Sequence, residues 1–93
     1  MIVELTPESI AQAEKNRLHK AARNWSEHDH IACAIKRQIP KAHVAVGLAL
    51  VTVKYPDGDV HYYTLPPEGM EIVRKADFRE EIVPTTFALI PAK

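Results

Sequence analysis

The segment HDHIAC, from His28 to Cys33, brings together residue types that bind metals or act as nucleophiles. An imidazole and a thiolate can share a zinc ion. If the segment is helical, each residue turns about 100° from the last, so His28 and His30 lie on nearly opposite sides. The two histidines then cannot chelate one metal. His30 with Cys33, three residues apart, is the only candidate metal pair.

A closed zinc site needs more ligands than this pair supplies. The chain has one cysteine, contains no CxxC or HExxH motif, and carries its other histidines on other segments. We therefore predict that the chain holds no metal and no cofactor.

Nucleophilic chemistry at Cys33 is the second use of the cluster. Lys36 and Arg37 follow it by three and four residues, and their charge would favour a thiolate. A cysteine enzyme also needs a general base, an orienting group and an oxyanion hole, and the sequence shows no complete set. We expect Cys33 to be a buried helix residue and the chain not to be an enzyme. The alternative is a small enzyme or ligand-sequestering protein with a pocket near Asp29, His30 and Cys33.

Two helices are predicted to carry the cluster. Pro7 in a first turn predicts a helix that runs to Trp25. Its apolar stripe consists of Ile10, Ala13, Leu18, Ala21, Ala22 and Trp25. A second helix is predicted from Ser26, its N-cap, to Ile39. Asp29 would then satisfy free backbone N–H groups at the start of this helix.

Strands are predicted on both sides of these helices. MIVEL predicts a first strand, and AHVAVGLALVTVKY predicts one long strand covered on both faces, with a bulge at Gly47. Pro56, Asp57 and Gly58 predict a hairpin turn into the strand VHYYTL. IVPTTFALI predicts a closing strand.

The last predicted helix starts at Pro67 and has Met70, Val73 and Phe78 on its apolar side. The predicted order is therefore β-α-α-β-β-α-β. It indicates an α+β fold with a sheet of three to four strands and two or three helices on one face. Residues 1–93 are expected to form a single domain. The two terminal strands could pair as neighbours.

The composition limits the partners. Apolar residues make up 46% of the 93, and 12 basic residues balance 12 acidic ones, so nucleic-acid binding is the weaker alternative. Nothing in the sequence resembles a signal peptide or a membrane span. The single cysteine is compatible with a reducing compartment, and we predict a cytoplasmic protein.

Two surface groups are candidate binding residues. Around the predicted hairpin they are Tyr55, His61, Tyr62 and Tyr63, and at the end of the second helix Lys36 and Arg37, with Lys41, Lys20 and Arg23 nearby. Neighbours on a strand point to opposite faces, so one of Tyr62 and Tyr63 should face outward, where tyrosine suits a protein partner. A strand that is apolar on both faces also needs a second cover, which predicts a homo-oligomer.

The order HIACAIKRQIP, hairpin, YTLPPEGMEIVRKAD and VPTTFALI resembles a set of small uncharacterised proteins of actinobacterial phages. The resemblance spans residues 29–89 and rests on Ile31, Ala32, Ala34, Ile35, Leu65, Pro66, Asp77, Pro84, Phe87 and Leu89. Asp29 and His30 replace the Cys-Pro of that pattern, and Cys33 stands at a place that is usually hydrophobic. The resemblance implies a shared fold and no known activity. Together with the small size, it leads us to expect a non-enzymatic phage accessory protein that binds a host or viral protein in the host cytoplasm.

Overall fold

The computed structural model describes residues 1–18 and 25–92. This part of the chain contains six strands and four helices. In chain order they are β1 (Ile2–Leu5), α1 (Pro7–Arg17), α2 (Trp25–His28), α3 (His30–Gln38), β2 (His43–Val46), β3 (Leu50–Lys54), β4 (Val60–Thr64), α4 (Pro67–Asp77), β5 (Thr85–Ala88) and β6 (Ile90–Pro91). The α+β class predicted from the sequence is confirmed.

The strands form two antiparallel sheets, one of β1 and β5 and one in the order β2-β3-β4-β6. Only Leu89 separates β5 from β6, and its backbone N–H donates to the Met1 carbonyl at 2.8 Å. The two sheets are thus continuous through the closing segment. The suggested pairing of the terminal strands is confirmed, with Val3 opposite Phe87.

The predicted long strand at residues 42–55 is wrong. The Gly47 N–H donates to the Leu50 carbonyl at 2.7 Å, and the chain turns back so that Val46 pairs with Val51. Burial then alternates along both β2 and β3, with one face buried and one exposed. The prediction failed because this turn is itself apolar: Leu48 is 83% exposed at its tip. The closing strand, predicted as one, is also interrupted at Leu89.

The hairpin between β3 and β4 forms as predicted. The Gly58 N–H donates to the Tyr55 carbonyl at 2.9 Å, and Gly58 has a φ of 98°, which a residue with a side chain adopts only under strain. The Asp57 carboxylate accepts the N–H of Asp59 at 2.9 Å and stabilises the same turn.

The helix boundaries differ from the prediction. Helix α1 ends at Arg17, and the capping residue Leu18 is 82% exposed instead of lying on an apolar stripe. The predicted continuation over Ala21 and Ala22 lies outside the described residues, and Trp25 begins a separate short helix. In α4 the buried residues are Gly69, Ile72 and Ala76. Met70 and Phe78, predicted on the apolar side, are exposed because the buried face is rotated away from them.

The core lies between the helices and the inner face of the sheets. Most of its large fully buried side chains come from β1, β3 and α3, where Ile31 and Ile35 are inaccessible to solvent, and Leu65 joins them from the connection between β4 and α4. Helix α3 therefore fixes the position of the HDHIAC segment against the sheet.

Candidate functional site

Asp29 is the junction between α2 and α3. It is the N-cap of α3, and its Oδ1 accepts the N–H of Ala32 at 2.8 Å. The predicted capping role of Asp29 is confirmed. The predicted helix start at Ser26 is wrong, because Ser26 lies within α2 and is exposed.

Burial changes the acidity of this carboxyl group. Asp29 is only 7% exposed, and loss of solvation raises its pKa to about 7. Hydrogen bonds from the amides of Ala32 and Ile31 and the charge of Lys36 act in the opposite direction, but they are weaker than the burial effect. The nearby carboxylate of Asp77 raises the pKa further.

His30 is a buried and neutral member of the core. Its Nε2 hydrogen bonds to Oε1 of Glu14 at 2.8 Å, and its buried Nδ1 has no partner among the described residues. A carboxylate only accepts, so Nε2 must carry the proton. Burial lowers the pKa of His30, although the bond to Glu14 opposes the change. His30 thus links α3 to α1.

Cys33 is a protonated thiol in a polar niche. Its Sγ donates to the His28 carbonyl at 3.4 Å and accepts from Nδ2 of Asn16 at 3.4 Å. Burial raises the pKa of Cys33, and the charge of Lys36 only partly offsets this. The expected buried helix residue is confirmed. The charge of Lys36 favours the thiolate, as predicted, but desolvation outweighs it.

The structure does not gather the reactive residue types into one site. Asp29 and Cys33 line different cavities, and His30 lines neither of them. Cys33 shares its cavity, about 350 Å³, with Lys36 and Arg37. Within residues 1–18 and 25–92, no three His, Cys, Asp or Glu side chains are arranged to hold a metal ion. The pocket expected near Asp29, His30 and Cys33 is represented by two cavities, one bordered by Asp29 and one by Cys33.

The cavity beside Asp29 is formed together with segments that the sequence did not predict to meet there. It has a volume of about 230 Å³ and is bordered by the α2–α3 junction, the β2–β3 turn and the end of α4. Trp25, Val46 and Val73 supply apolar wall, while Asp29 and Asp77 supply carboxyl groups. Tertiary packing alone brings these segments together, so no local pattern could have revealed the cavity.

The tyrosines of the hairpin occupy both faces of β4. Tyr62 is 53% exposed and Tyr63 is 7% exposed, which confirms that one of the two faces outward. The hydroxyl groups of Tyr63 and Tyr55 hydrogen bond at 2.9 Å, and the His61 ring lies 4.8 Å from that of Tyr55. Burial and this hydrogen bond raise the pKa of Tyr63 to about 12. Of the three tyrosines, Tyr62 is the exposed one.

The basic residues at the end of α3 differ in their contacts. The Lys36 ammonium donates to the Glu27 carbonyl, whereas Arg37 and Lys41 are exposed. Lys20 and Arg23, predicted to lie nearby, fall outside the described residues.

The side of the sheets that faces away from the helices, called the outer face below, is apolar at its centre. Its large exposed side chains, each 44–58% accessible, are Ile2, Leu50, Val60, Tyr62 and Ile90. Small or uncharged residues lie between them: Ala45, Thr52, Thr64 and Ala88. The charged or titratable side chains on this face, Glu4, His43 and Lys54, lie at its periphery.

The outer edges of the sheets are covered by other parts of the chain. At β1, the Gln38 side chain accepts the Glu4 N–H at 2.8 Å and donates to the Ile2 carbonyl at 2.7 Å. This amide occupies the hydrogen-bonding positions that a further strand would use. At the other end of the strand order, α2 packs against β2. Compared with these edges, the outer face is therefore the larger exposed surface of the sheets.

The chain matches no protein-family profile, no curated protein sequence and no solved structure. No helix within the described part of the chain is both long and apolar enough to cross a lipid bilayer.

Proposed function

We propose that the protein is a non-enzymatic binding protein that dimerises through the outer face of the sheets. The observation that carries this proposal is the row of exposed large apolar side chains around Tyr62 and Ile90. They offer apolar surface on the order of 500 Å², comparable to the largest apolar patch of a typical monomer, which is often functional. A standard interface buries roughly 800 Å² per partner and is a little over half apolar, so the outer face is large enough for one.

The occupant that fits this face is a second copy of the chain. Thr64 pairs with Ile90 near the centre of the face. Lys54 pairs with the residue of β4 that is four positions before Thr64. Glu4 pairs with the residue of β5 that is four positions before Ile90. Because β4 and β6 are antiparallel, these two charges lie at diagonally opposite corners. A two-fold axis that lies in the interface, perpendicular to the line from Glu4 to Lys54, places each Glu4 opposite the Lys54 of the other copy.

This symmetric pairing brings no charged side chains together at its centre, because the side chains there are uncharged. It also gives the predicted homo-oligomer a different physical basis. From the sequence, the oligomer was predicted because one strand would be apolar on both faces. In the proposed dimer, the contact is instead made by the exposed alternate residues of β3, β4 and β6.

The biological setting is part of the same proposal. We propose that the dimer acts as an accessory protein on a host or viral protein, as the resemblance to phage proteins implies. A cytoplasmic location suits the single protonated thiol of Cys33. The predictions of a phage origin and of the absence of catalysis rest on the sequence arguments alone.

Light scattering of the purified protein across a range of concentrations tests the proposal. We expect a particle with twice the 10.5 kDa mass of the chain. Ile90→Lys places two ammonium groups close to the proposed two-fold axis and should give a monomer. Val83→Lys is the matched control, because Val83 is also 53% exposed but lies outside the sheets. It should leave the dimer intact.

Two results would overturn the second copy as occupant. One is a wild-type protein that stays monomeric at all concentrations, which would leave a different protein to cover the outer face. The other is a dimer that Val83→Lys disrupts and Ile90→Lys does not.

A further inference from the structure

The cavity beside Asp29 combines negative charge with an aromatic wall. Asp29 and Asp77 line it from two directions, one at the start of α3 and one in the last turn of α4. The carbonyl end of a helix carries partial negative charge, so the end of α4 adds to the field of the carboxylates. Among the described residues, no cationic group lies within 4.0 Å of either carboxylate. The chemistry of the cavity therefore favours a cation.

The chain itself shows which kind of cation the surrounding surface accommodates. The guanidinium of Arg17 lies 5.1 Å from the centre of the Trp25 ring and donates to the Ala76 carbonyl at 3.0 Å. Trp25 and Ala76 both line the cavity, whereas Arg17 does not. The same wall thus already binds a planar cation by stacking and by a carbonyl hydrogen bond, an arrangement that suits a guanidinium better than an ammonium.

We propose that this cavity binds a guanidinium group carried on a short aliphatic chain, with Asp77 and Asp29 as the counter-charges. At about 230 Å³ it is smaller than the pockets of drug-sized ligands, and it matches one side chain or a small fragment. The aliphatic part contacts Val46, Val73 and Leu48, and the cation lies beside the part of the Trp25 ring that borders the cavity and is not covered by Arg17. Two sources supply this chemistry, an arginine side chain of another protein and a free alkylguanidine.

Propylguanidinium and propylurea are the probes that separate charge from shape, because they are close in size and planarity but only the first is cationic. The signal is the indole N–H of Trp25, the only tryptophan in the chain, followed by NMR during titration. We expect a saturable shift with propylguanidinium, with a Kd on the order of 1 mM, and no saturable shift with propylurea. Equal binding of both probes, or no saturation by propylguanidinium, would overturn the proposal.

Variants identify the residues involved. Asp77→Asn should weaken propylguanidinium binding roughly tenfold, because it removes an accessible counter-charge. Asp57→Asn is the control, since Asp57 is an exposed aspartate in the β3–β4 turn, and it should leave binding unchanged. Equal affinities of the two variants would count against the assigned site.

The pH dependence adds a separate signature. The charges of Lys36 and Asp77 act on Asp29, whose pKa of about 7 lies between pH 5.5 and 8. Affinity should therefore rise over this interval in the wild type as Asp29 ionises, and stay constant in Asp29→Asn. A pH-independent affinity in the wild type would remove Asp29 from the site.

The source of the guanidinium is tested with an acetylated and amidated arginine and a five-residue peptide that carries one central arginine. Tighter binding of the peptide than of propylguanidinium supports a protein partner. Tighter binding of propylguanidinium supports a free small molecule. Both results are consistent with the cavity as a guanidinium site.

Discussion

Asp29 serves as a helix cap in a place where a carboxylate is poorly solvated, and these two conditions oppose each other. The capping bond to Ala32 favours the charged form, whereas burial favours the neutral form and raises the pKa to about 7. In the unfolded chain the same group titrates near 3.8. A raised pKa means that Asp29 contributes most to stability at low pH, and that this contribution is lost as the pH rises from about 4 to about 7.

Asp29→Asn should remove this loss while keeping a good capping residue. We expect the free energy of unfolding of the variant, measured by urea denaturation, to increase relative to the wild type between pH 4.5 and 8. The relative increase should be on the order of 3 kcal/mol. His30 titrates in both proteins, so its effect cancels in the difference. Asp57→Asn serves as the control, and a wild-type profile parallel to that of Asp29→Asn would contradict the raised pKa.

Gly69 shows how a single residue permits close packing. A Cβ atom at this position would lie 2.4 Å from Cδ1 of Leu65 and 3.2 Å from Cε2 of Phe87. Leu65 is 1% exposed and cannot move aside without disturbing the core. Alanine favours a helix by about 1 kcal/mol over glycine, but overpacking costs typically 1–3 kcal/mol.

Gly69→Ala should therefore lower the melting temperature, with a net loss of up to about 2 kcal/mol in the free energy of unfolding. The double variant Gly69→Ala with Leu65→Ala provides the control. Its destabilisation should be smaller than the sum of the two single effects, because the shortened side chain relieves the clash. Additive effects would show that Gly69 does not pack against Leu65.

At the scale of elements, the edge of β1 depends on one side chain. Gln38→Ala removes both hydrogen bonds to the β1 backbone, at Glu4 and Ile2. The Glu4 amide should then exchange with solvent about tenfold faster, since it loses its acceptor. Gln12→Ala is the control, because Gln12 bonds only to a side chain of its own helix, that of Asn16. Unchanged exchange at Glu4 in the Gln38 variant would show that the edge is protected in another way.

Elements with a strong local signal were predictable, and elements defined by packing were not. Asp57 and Gly58 are residue types that favour turns over helices and strands, so the hairpin at this position was predicted correctly. The turn at Gly47 is surrounded by apolar residues typical of a strand interior, and it was missed. The cavity between Asp29 and Asp77 joins segments far apart in the chain, and its existence depends on how α4 packs.

At the scale of the whole molecule, the proposed dimer depends on complementary charges across its two-fold axis. Glu4→Lys and Lys54→Glu should each weaken dimerisation roughly tenfold, because each places like charges opposite one another. The double variant should restore dimerisation, since the charges are complementary again. Sedimentation equilibrium at low ionic strength measures all three. Loss of dimerisation in the double variant would contradict this arrangement of the two copies.

The central claim is that the outer face lies against a second copy of the chain. NMR of a mixture of ¹³C-labelled and unlabelled protein, filtered for contacts between the two, tests this claim most directly. We expect intermolecular contacts from the Ile90 methyl groups and the Tyr62 ring, and none from exposed Phe78. Intermolecular contacts confined to Phe78 or other residues outside the sheets, or none from the outer face, would contradict it.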